Sequence, residues 1–148
     1  MNHPHTVGRE ITLQYLYMQD VLKGKDILSF EAFIEAQQPA LLSESVAFAR
    51  RLVENVLQRQ SELDTEIAGV AANWSITRMA AIDRNVLRLG LTELIIYPEI
   101  SHKIIINEAI ELAKRYSSED AGAFVNGLLD RLRIKLRPNT LNGNDELD

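Results

Sequence analysis

Apolar residues recur at helical spacing along almost the whole chain. The first such segment predicts a helix over about 7–22, which stops at the turn formed by residues 24–25. Ser29 is a favoured N-cap residue for a short second helix, and Pro39 separates that helix from the next one. Because no segment shows the strict alternation of a strand, the pattern predicts an all-α protein of six or seven helices.

The second half of the chain carries the clearest helical signals. Helical spacing continues over about 46–71, where a capping-box variant at 61–64 leaves open whether there is one helix or two in sequence. Over 79–97 the apolar residues wrap nearly the whole helix circumference, which predicts a helix in the middle of the core. Ser101 can cap the next helix, and a second capping-box variant at 117–120 starts the last one.

Length and composition predict one domain. A compact chain of 148 residues would bury roughly 70% of the surface that it exposes when unfolded. A hydrophobic core is therefore possible without disulfides or a structural metal. We expect the domain to span residues 1–138 and a disordered acidic tail to cover 139–148. The absence of cysteine excludes disulfides and thiolate zinc sites. No segment resembles a secretory signal or reaches the ~18 apolar residues of a membrane span, so we expect a cytoplasmic protein.

Catalytic motifs are not apparent in the sequence. The three histidines are His3, His5 and His102, and none of them sits beside a plausible serine nucleophile. No glycine-rich phosphate loop is present. Glu108 and Glu111 share a helix face, which a solvated surface explains without a paired-carboxylate site. We therefore expect a protein that is not an enzyme and that needs no cofactor or metal.

The charge balance limits the partners that the chain can bind unaided. The net charge of −5 counts against strong independent binding of nucleic acid, since such proteins usually carry a basic footprint. One segment is an exception, because residues 131–137 contain four positive side chains. They could form a basic rim, and a solvated helix end beside the C-terminal helix dipole explains them equally well.

Two sequence blocks carry a resemblance to a known family. Residues 107–114 read NEAIELAK and residues 124–130 read FVNGLLD, while Trp74 and the Leu-Tyr pair at 16–17 agree in position. With these motifs the chain, over roughly 4–138, resembles the NusB family of bacterial transcription antitermination factors. The resemblance implies an all-helical adaptor, built as two roughly perpendicular three-helix bundles, and not an enzyme.

The resemblance also implies partners and site residues. Proteins of this family bind the boxA element of nascent RNA together with the small-subunit ribosomal protein NusE. They act in the transcription elongation complex and support processive transcription of ribosomal RNA. By similarity, the RNA-binding residues would be Arg9, Tyr17, Asp120, Phe124 and Asn126, and Asp83 is a candidate contact for NusE.

Three of these residues, Tyr17, Asp120 and Phe124, also have a purely structural explanation. The rings of Tyr17 and Phe124 could stack on unpaired bases or could belong to the core. Asp120 could accept a hydrogen bond from a base amino group or could only cap its helix. Gly127 interrupts a helix at a cost of ~1 kcal/mol, which close approach of another helix or of RNA would explain. Arg88 lies on the central apolar helix, so we expect it either to be paired inside the protein or to reach its rim, and we favour a structural role.

The N-terminus departs from the family pattern. Family members usually begin with an arginine-rich segment, whereas this chain has His3 and His5 and keeps only Arg9. The loss of about three cationic contacts would flatten the salt dependence of RNA binding by roughly two log units per log unit of salt. Protonated histidines could compensate below about pH 6.5. Two alternatives stay open: a NusB-like helical dimer with weak or lost RNA binding, and the RNA-binding front end of a ribosomal RNA cytosine methyltransferase, which would need a nucleotide-binding domain downstream.

Overall fold

A computed structural model describes residues 3–37, 40–72 and 74–138. These residues form six α-helices and no strand, which confirms the predicted all-α class. The helices are α1 (Pro4–Leu22), α2 (Phe30–Glu35), α3 (Ser43–Val70), α4 (Ala81–Ile96), α5 (His102–Tyr116) and α6 (Glu119–Leu136), with a 3-10 turn at Ile76–Arg78 before α4. None of these helices is long and apolar enough to cross a membrane. The predicted break at Pro39 and the predicted acidic tail lie outside the described residues.

Helix α1 begins three residues earlier than the apolar pattern predicts. Pro4 occupies the first turn, where its fixed φ and missing N–H fit the start of a helix. His3 is the N-cap residue, and its Nδ1 accepts a hydrogen bond from the backbone N–H of His5 at 3.0 Å. The helix ends with Lys23 in the left-handed region at φ 53°, followed by Gly24 at φ 77°. Both ends of the helix are therefore capped by local hydrogen bonds.

Helix α3 is one continuous helix of 28 residues. The sequence left open a break at the capping-box variant 61–64, and the structure has no break there. Val56, Leu63 and Ile67 are all at most 1% exposed, so the core contact runs without interruption through this segment. Burial of a continuous apolar stripe outweighs a local capping signal, because most helical stability comes from tertiary packing.

Helix α4 is the centre of the fold, as its apolar circumference predicts. Every residue from 85 to 94 is buried. The helix lies between two packed pairs, α1 with α3 and α5 with α6, and contacts all four of these helices. Gly90 allows the close approach of α6, since a Cβ atom there would lie 2.9 Å from Leu129 Cδ1. Arg88 is paired inside the protein as predicted, with its Nε 2.7 Å from Asp64 Oδ1 and its Nη1 3.2 Å from Asp20 Oδ2.

Candidate nucleic-acid interface

A cavity of about 210 Å³ opens where the connection between α3 and α4 meets the first turn of α6. Two stretches of the chain, 74–83 and 118–124, build it, because α4 packs against α6 and brings the connection that precedes α4 beside the start of α6. The side chains that give the cavity its chemistry are Trp74, Arg78, Asp83, Ser118, Asp120 and Phe124. Three of the residues that the sequence singled out, Asp83, Asp120 and Phe124, therefore meet at one place.

Two aromatic rings form one wall of this cavity. Trp74 is 53% exposed, which is unusual for the largest apolar side chain of the protein. Phe124 is partly buried and packs against the core, so both of its predicted roles, core packing and an accessible ring, are compatible with its position. The two rings meet edge to face with centroids 6.3 Å apart. This arrangement leaves ring surface on which a planar ligand can stack.

Two carboxylates lie beside the rings and are not satisfied by the protein. Asp83 is in the first turn of α4, and its Oδ1 is buried with no hydrogen-bond partner in the described part of the chain. Asp120 is in the first turn of α6, is exposed, and makes no side-chain hydrogen bond to any described residue. Ser118 caps α6 instead, accepting from the Ala121 N–H at 3.1 Å. The exposed carboxylate of Asp120 can therefore accept hydrogen bonds from a ligand, whereas Asp83 lines the cavity with its Oδ1 enclosed.

A single cation completes the described lining of the cavity. Arg78 is exposed at the end of the 3-10 turn, and its guanidinium makes no ion pair with a described residue. Neither Arg78 nor Trp74 was predicted as a site residue from the sequence. The available signal was an aromatic ring and a cation in a short polar connection, since such residues in loops more often serve binding than packing.

Tyr17 and Asn126 lie on the surface outside the cavity lining. Tyr17 is 42% exposed, so its ring is not a core ring. One turn later on α1, Asp20 pairs with Arg84, the residue after Asp83, which places this part of α1 beside the first turn of α4. Asn126 is exposed on α6 and makes no side-chain hydrogen bond within the described residues.

Arg9 is buried at the opposite end of α4. It is 3% exposed, and its Nε and Nη2 each lie 2.8 Å from the carboxylate of Glu93. Its Nη1 donates to Glu108 Oε1 at 3.0 Å. Burial alone would lower the pKa of Arg9, but these two carboxylates raise it above the ordinary value. The guanidinium therefore joins α1, α4 and α5 and is not presented to solvent.

The basic segment near the C-terminus is also tied to the protein. Arg131 Nη1 donates to the backbone oxygen of Val70 at 3.0 Å, and Lys135 Nζ lies 3.0 Å from Glu66 Oε1. Arg137 donates to three backbone oxygens around the C-terminal end of α4. These contacts favour a structural role for the segment over the free basic rim that its sequence allowed.

The two N-terminal histidines lie close together at the start of α1. The His5 ring stacks on Phe48 with centroids 4.0 Å apart and planes 9° apart, and the His3 ring meets it edge-on at 5.0 Å. Burial, followed by the positive charge of Arg9 and the neighbouring His3, lowers the pKa of His5. His5 therefore gains the positive charge that it could offer to RNA at a lower pH than an ordinary histidine, whose pKa is about 6.5.

Comparison with known proteins shows the class of protein to which the chain belongs. The chain is 40% identical over 130 residues to Transcription antitermination protein NusB of Geobacter sulfurreducens, covering 88% of this chain and 94% of the relative. The corresponding protein of Myxococcus xanthus is 43% identical over 131 residues, with 87% and 94% covered. The chain is therefore a member of the bacterial transcription antitermination factors, a regulatory class.

The family follows from the sequence model and from solved structures. The NusB family model matches residues 6–133. The fold is similar to Thermotoga maritima NusB at a TM-score of 0.83 and 30% identity, over 96% of this chain and 99% of that one. It also matches a chain in the crystal structure of antitermination factors NusB and NusE in complex with dsRNA, at a TM-score of 0.79 and 26% identity, over 91% and 99%. The chain belongs to the NusB family.

Proposed function

We propose that this chain is a cytoplasmic antitermination adaptor that binds boxA-type RNA jointly with the ribosomal protein NusE. In this role it supports processive transcription of ribosomal RNA within the elongation complex and has no catalytic activity of its own. Membership of the NusB family supports the proposal. So does the similarity to a chain of the solved assembly of NusB, NusE and dsRNA.

The observation that carries the proposal is the cavity at the first turns of α4 and α6. Trp74 and Phe124 offer rings to unpaired bases, and each stacked base contributes ~1–3 kcal/mol to binding of a single strand. Asp83 and Asp120 would repel phosphate but can accept hydrogen bonds from the exocyclic amino groups of bases. This chemistry suits recognition of unpaired bases better than binding of a duplex backbone.

The candidate binding residues that the resemblance implied have different roles in this proposed function. Tyr17, Asp120, Phe124 and Asn126 are exposed or partly exposed and contact RNA. Asp83 was expected to contact NusE, and we place it where the RNA surface and the NusE surface adjoin. Trp74 and Arg78 join the RNA-binding set.

Arg9 has a supporting role in this proposal. Its guanidinium is enclosed by Glu93 and Glu108, so a direct phosphate contact would require these ion pairs to break. We propose that it positions the N-terminal part of α1 and does not touch RNA.

The partner supplies positive charge that this chain lacks. The net charge is −5, and Arg131, Lys135 and Arg137 already donate to groups of the protein itself. A basic ribosomal protein would steer association with this acidic surface and add the phosphate contacts. We therefore expect weak RNA binding by the chain alone and tight binding by the heterodimer.

Fluorescence anisotropy with labelled boxA RNA, with and without NusE over a salt series, tests the proposal. We expect the heterodimer to bind at least tenfold more tightly than this chain alone and to discriminate against a scrambled RNA. Equal affinity with and without NusE, or equal affinity for the scrambled RNA, would contradict it. Sedimentation of the free chain tests the dimer alternative, which gains support if a stable homodimer protects Trp74 from a collisional quencher.

A further inference from the structure

Two adjoining cavities lie beside the C-terminal end of α4, at the far end of this helix from the aromatic wall. One, of about 540 Å³, is between the start of α1 and the first half of α5. The other, of about 490 Å³, is between the start of α1 and the first turns of α3. His5, Glu99 and Ile100 line both cavities, which are therefore two halves of one groove, called here the N-terminal groove.

The floor of the N-terminal groove is largely apolar. In its first half, Ile104 is 46% exposed in the first turn of α5. In its second half, the His5 ring stacks on Phe48, and Phe48 stacks on Tyr97 with ring centroids 5.2 Å apart. Ile100 continues the apolar surface between the two halves. Contiguous apolar surface with a polar rim is typical of an interaction site on a soluble protein.

The rim of the groove is acidic. Glu44 and Glu99 are exposed, and Glu99, which borders both halves, makes no ion pair with a described residue. Arg9 lines the groove but is enclosed by two carboxylates, so Arg51 is the one lysine or arginine of the described lining that solvent reaches. The lowered pKa of His5 leaves its ring mostly neutral at pH 7. Negative charge therefore surrounds the apolar floor.

We infer that the N-terminal groove docks a basic, extended segment of a protein partner other than NusE. One apolar side chain of this segment occupies each half of the groove, and a Lys or Arg between them pairs with Glu99. Apolar anchors that fill pockets carry most of the binding energy of an interface, and complementary charge selects the partner. The groove thus adds a second protein-docking surface to the proposed function.

The position of the groove separates it from the proposed NusE contact. Asp83 is in the first turn of α4, whereas Tyr97 and Ile100 follow the last turn of this helix. The sixteen residues of α4 extend about 24 Å. A segment seated in the groove therefore leaves the surface around Asp83 accessible.

An RNA strand and a second copy of this chain are poorer occupants of the groove. Glu44, Glu99 and Glu108 would repel phosphate groups, and Arg51 alone is accessible to offset them among the described lining residues. A second copy would bring a further excess of negative charge, since the net charge of the chain is −5. Like charges placed against each other disfavour association.

Short synthetic peptides test the inference on the intact chain. Each peptide carries two leucines at varied spacing among lysine, arginine and serine, and its matched control carries glutamate in place of the basic residues. We expect at least one basic peptide to bind at least tenfold more tightly than its acidic control in fluorescence anisotropy. Saturating NusE should leave this affinity unchanged.

Substitutions at exposed positions locate the bound peptide. Glu99→Lys should weaken its binding at least fivefold by reversing the central charge, and Ile104→Ala should do so by removing apolar floor. Both side chains are exposed, so circular dichroism should show an unchanged fold. Glu62→Lys is the matched control, because Glu62 is exposed on α3 outside the groove lining and undergoes the same change of charge. It should leave peptide affinity unchanged.

Several outcomes would overturn the inference. Basic peptides that bind no better than their acidic controls, or equal losses for Glu99→Lys and Glu62→Lys, would show that the groove is not the docking site. Displacement of the peptide by NusE would make the groove part of the NusE surface. If Ile104→Ala weakens boxA RNA binding by the heterodimer, the groove is an RNA surface, and if it dissociates a homodimer in sedimentation, a second copy is the occupant.

Discussion

The guanidinium of Arg9 and the carboxylate of Glu93 form a two-point ion pair that solvent does not reach. Two nitrogens of Arg9 lie 2.8 Å from the two oxygens of Glu93, and the side chains are 4% and 0% exposed. The pair joins the first half of α1 to the second half of α4, residues that are 84 positions apart in the sequence. The fold of this region therefore depends on a cation that the family resemblance assigned to RNA.

Replacing Arg9 by alanine should destabilise the protein strongly. The substitution leaves the buried Glu93 carboxylate uncompensated, which costs about 3–5 kcal/mol for pairs of this kind. Urea unfolding monitored by circular dichroism measures the loss. The control is Arg115→Ala, whose pair with Glu10 is largely on the surface and should contribute less than about 1 kcal/mol. Similar losses for the two variants would show that the pair of Arg9 is not buried in solution.

Truncating either ring of the cavity wall should weaken RNA binding. Trp74→Ala or Phe124→Ala removes a stacking surface worth ~1–3 kcal/mol, or roughly 5- to 150-fold in the dissociation constant. Anisotropy titrations of the heterodimer give the change, with circular dichroism to confirm the fold of each variant. Ile104→Ala is the control, since this side chain is 46% exposed in the first turn of α5, far from the cavity. An equal effect of Ile104→Ala would argue against the cavity as the base site.

Arg78 should account for a measurable part of the salt dependence. If its free guanidinium contacts one phosphate, Arg78→Gln lowers the slope of log affinity against log salt by about 0.7. Lys135→Gln should leave the slope unchanged, because Lys135 is paired with Glu66. Titrations at four salt concentrations distinguish the two variants. A larger change for Lys135→Gln would mean that the C-terminal segment, and not the cavity edge, meets the phosphates.

Asp20 should make the stability of the fold sensitive to acid. Burial alone would raise the pKa of Asp20, but hydrogen bonds from Arg84 and Asn85 and the charge of Arg88 hold it below the ordinary value. A carboxyl group with a lowered pKa stabilises the fold while it is ionised. This contribution is complete above about pH 4 and is lost as the pH falls through the folded-state pKa.

The variant Asp20→Asn tests this. It should cost about 1.5–3 kcal/mol at pH 7, the range for hydrogen bonds to charged groups. The difference from the wild type, measured by urea unfolding, should shrink as the pH falls below 4. A difference that stays constant down to pH 2 would rule out titration of Asp20 as the cause.

The structural features that the sequence predicted best are those that depend on residues close together in the chain. Ser29 and Ser101 cap helices as expected, because an N-cap bonds to a backbone N–H within three positions. The predicted capping-box variant at 117–120 would use Ser117, and the structure places the N-cap one residue later, at Ser118. The central place of α4 was predictable as well, since a helix that is apolar on all sides has to be buried. The open alternative of a break at 61–64 did not occur, because core packing decided that segment.

The candidate site was predictable only in part. The resemblance pointed to Asp83, Asp120 and Phe124, and the structure brings all three to one cavity. That Arg9 is enclosed depends on carboxylates 84 and 99 positions away, for which no local pattern exists. The cavity likewise depends on two stretches of the chain, 74–83 and 118–124, that meet only in the folded state. The ring of Trp74 and the charge of Arg78 were visible in the sequence, but their shared position with α6 was not.

The contacts of Arg137 have a practical consequence for labelling. This side chain binds backbone oxygens of Leu94, Tyr97 and Ile100, whereas the cavity lies at the other end of α4. The sixteen residues of that helix extend about 24 Å. A dye attached at position 138 itself would thus be held well away from the aromatic wall, and could report the capture of a transcript without obstructing it.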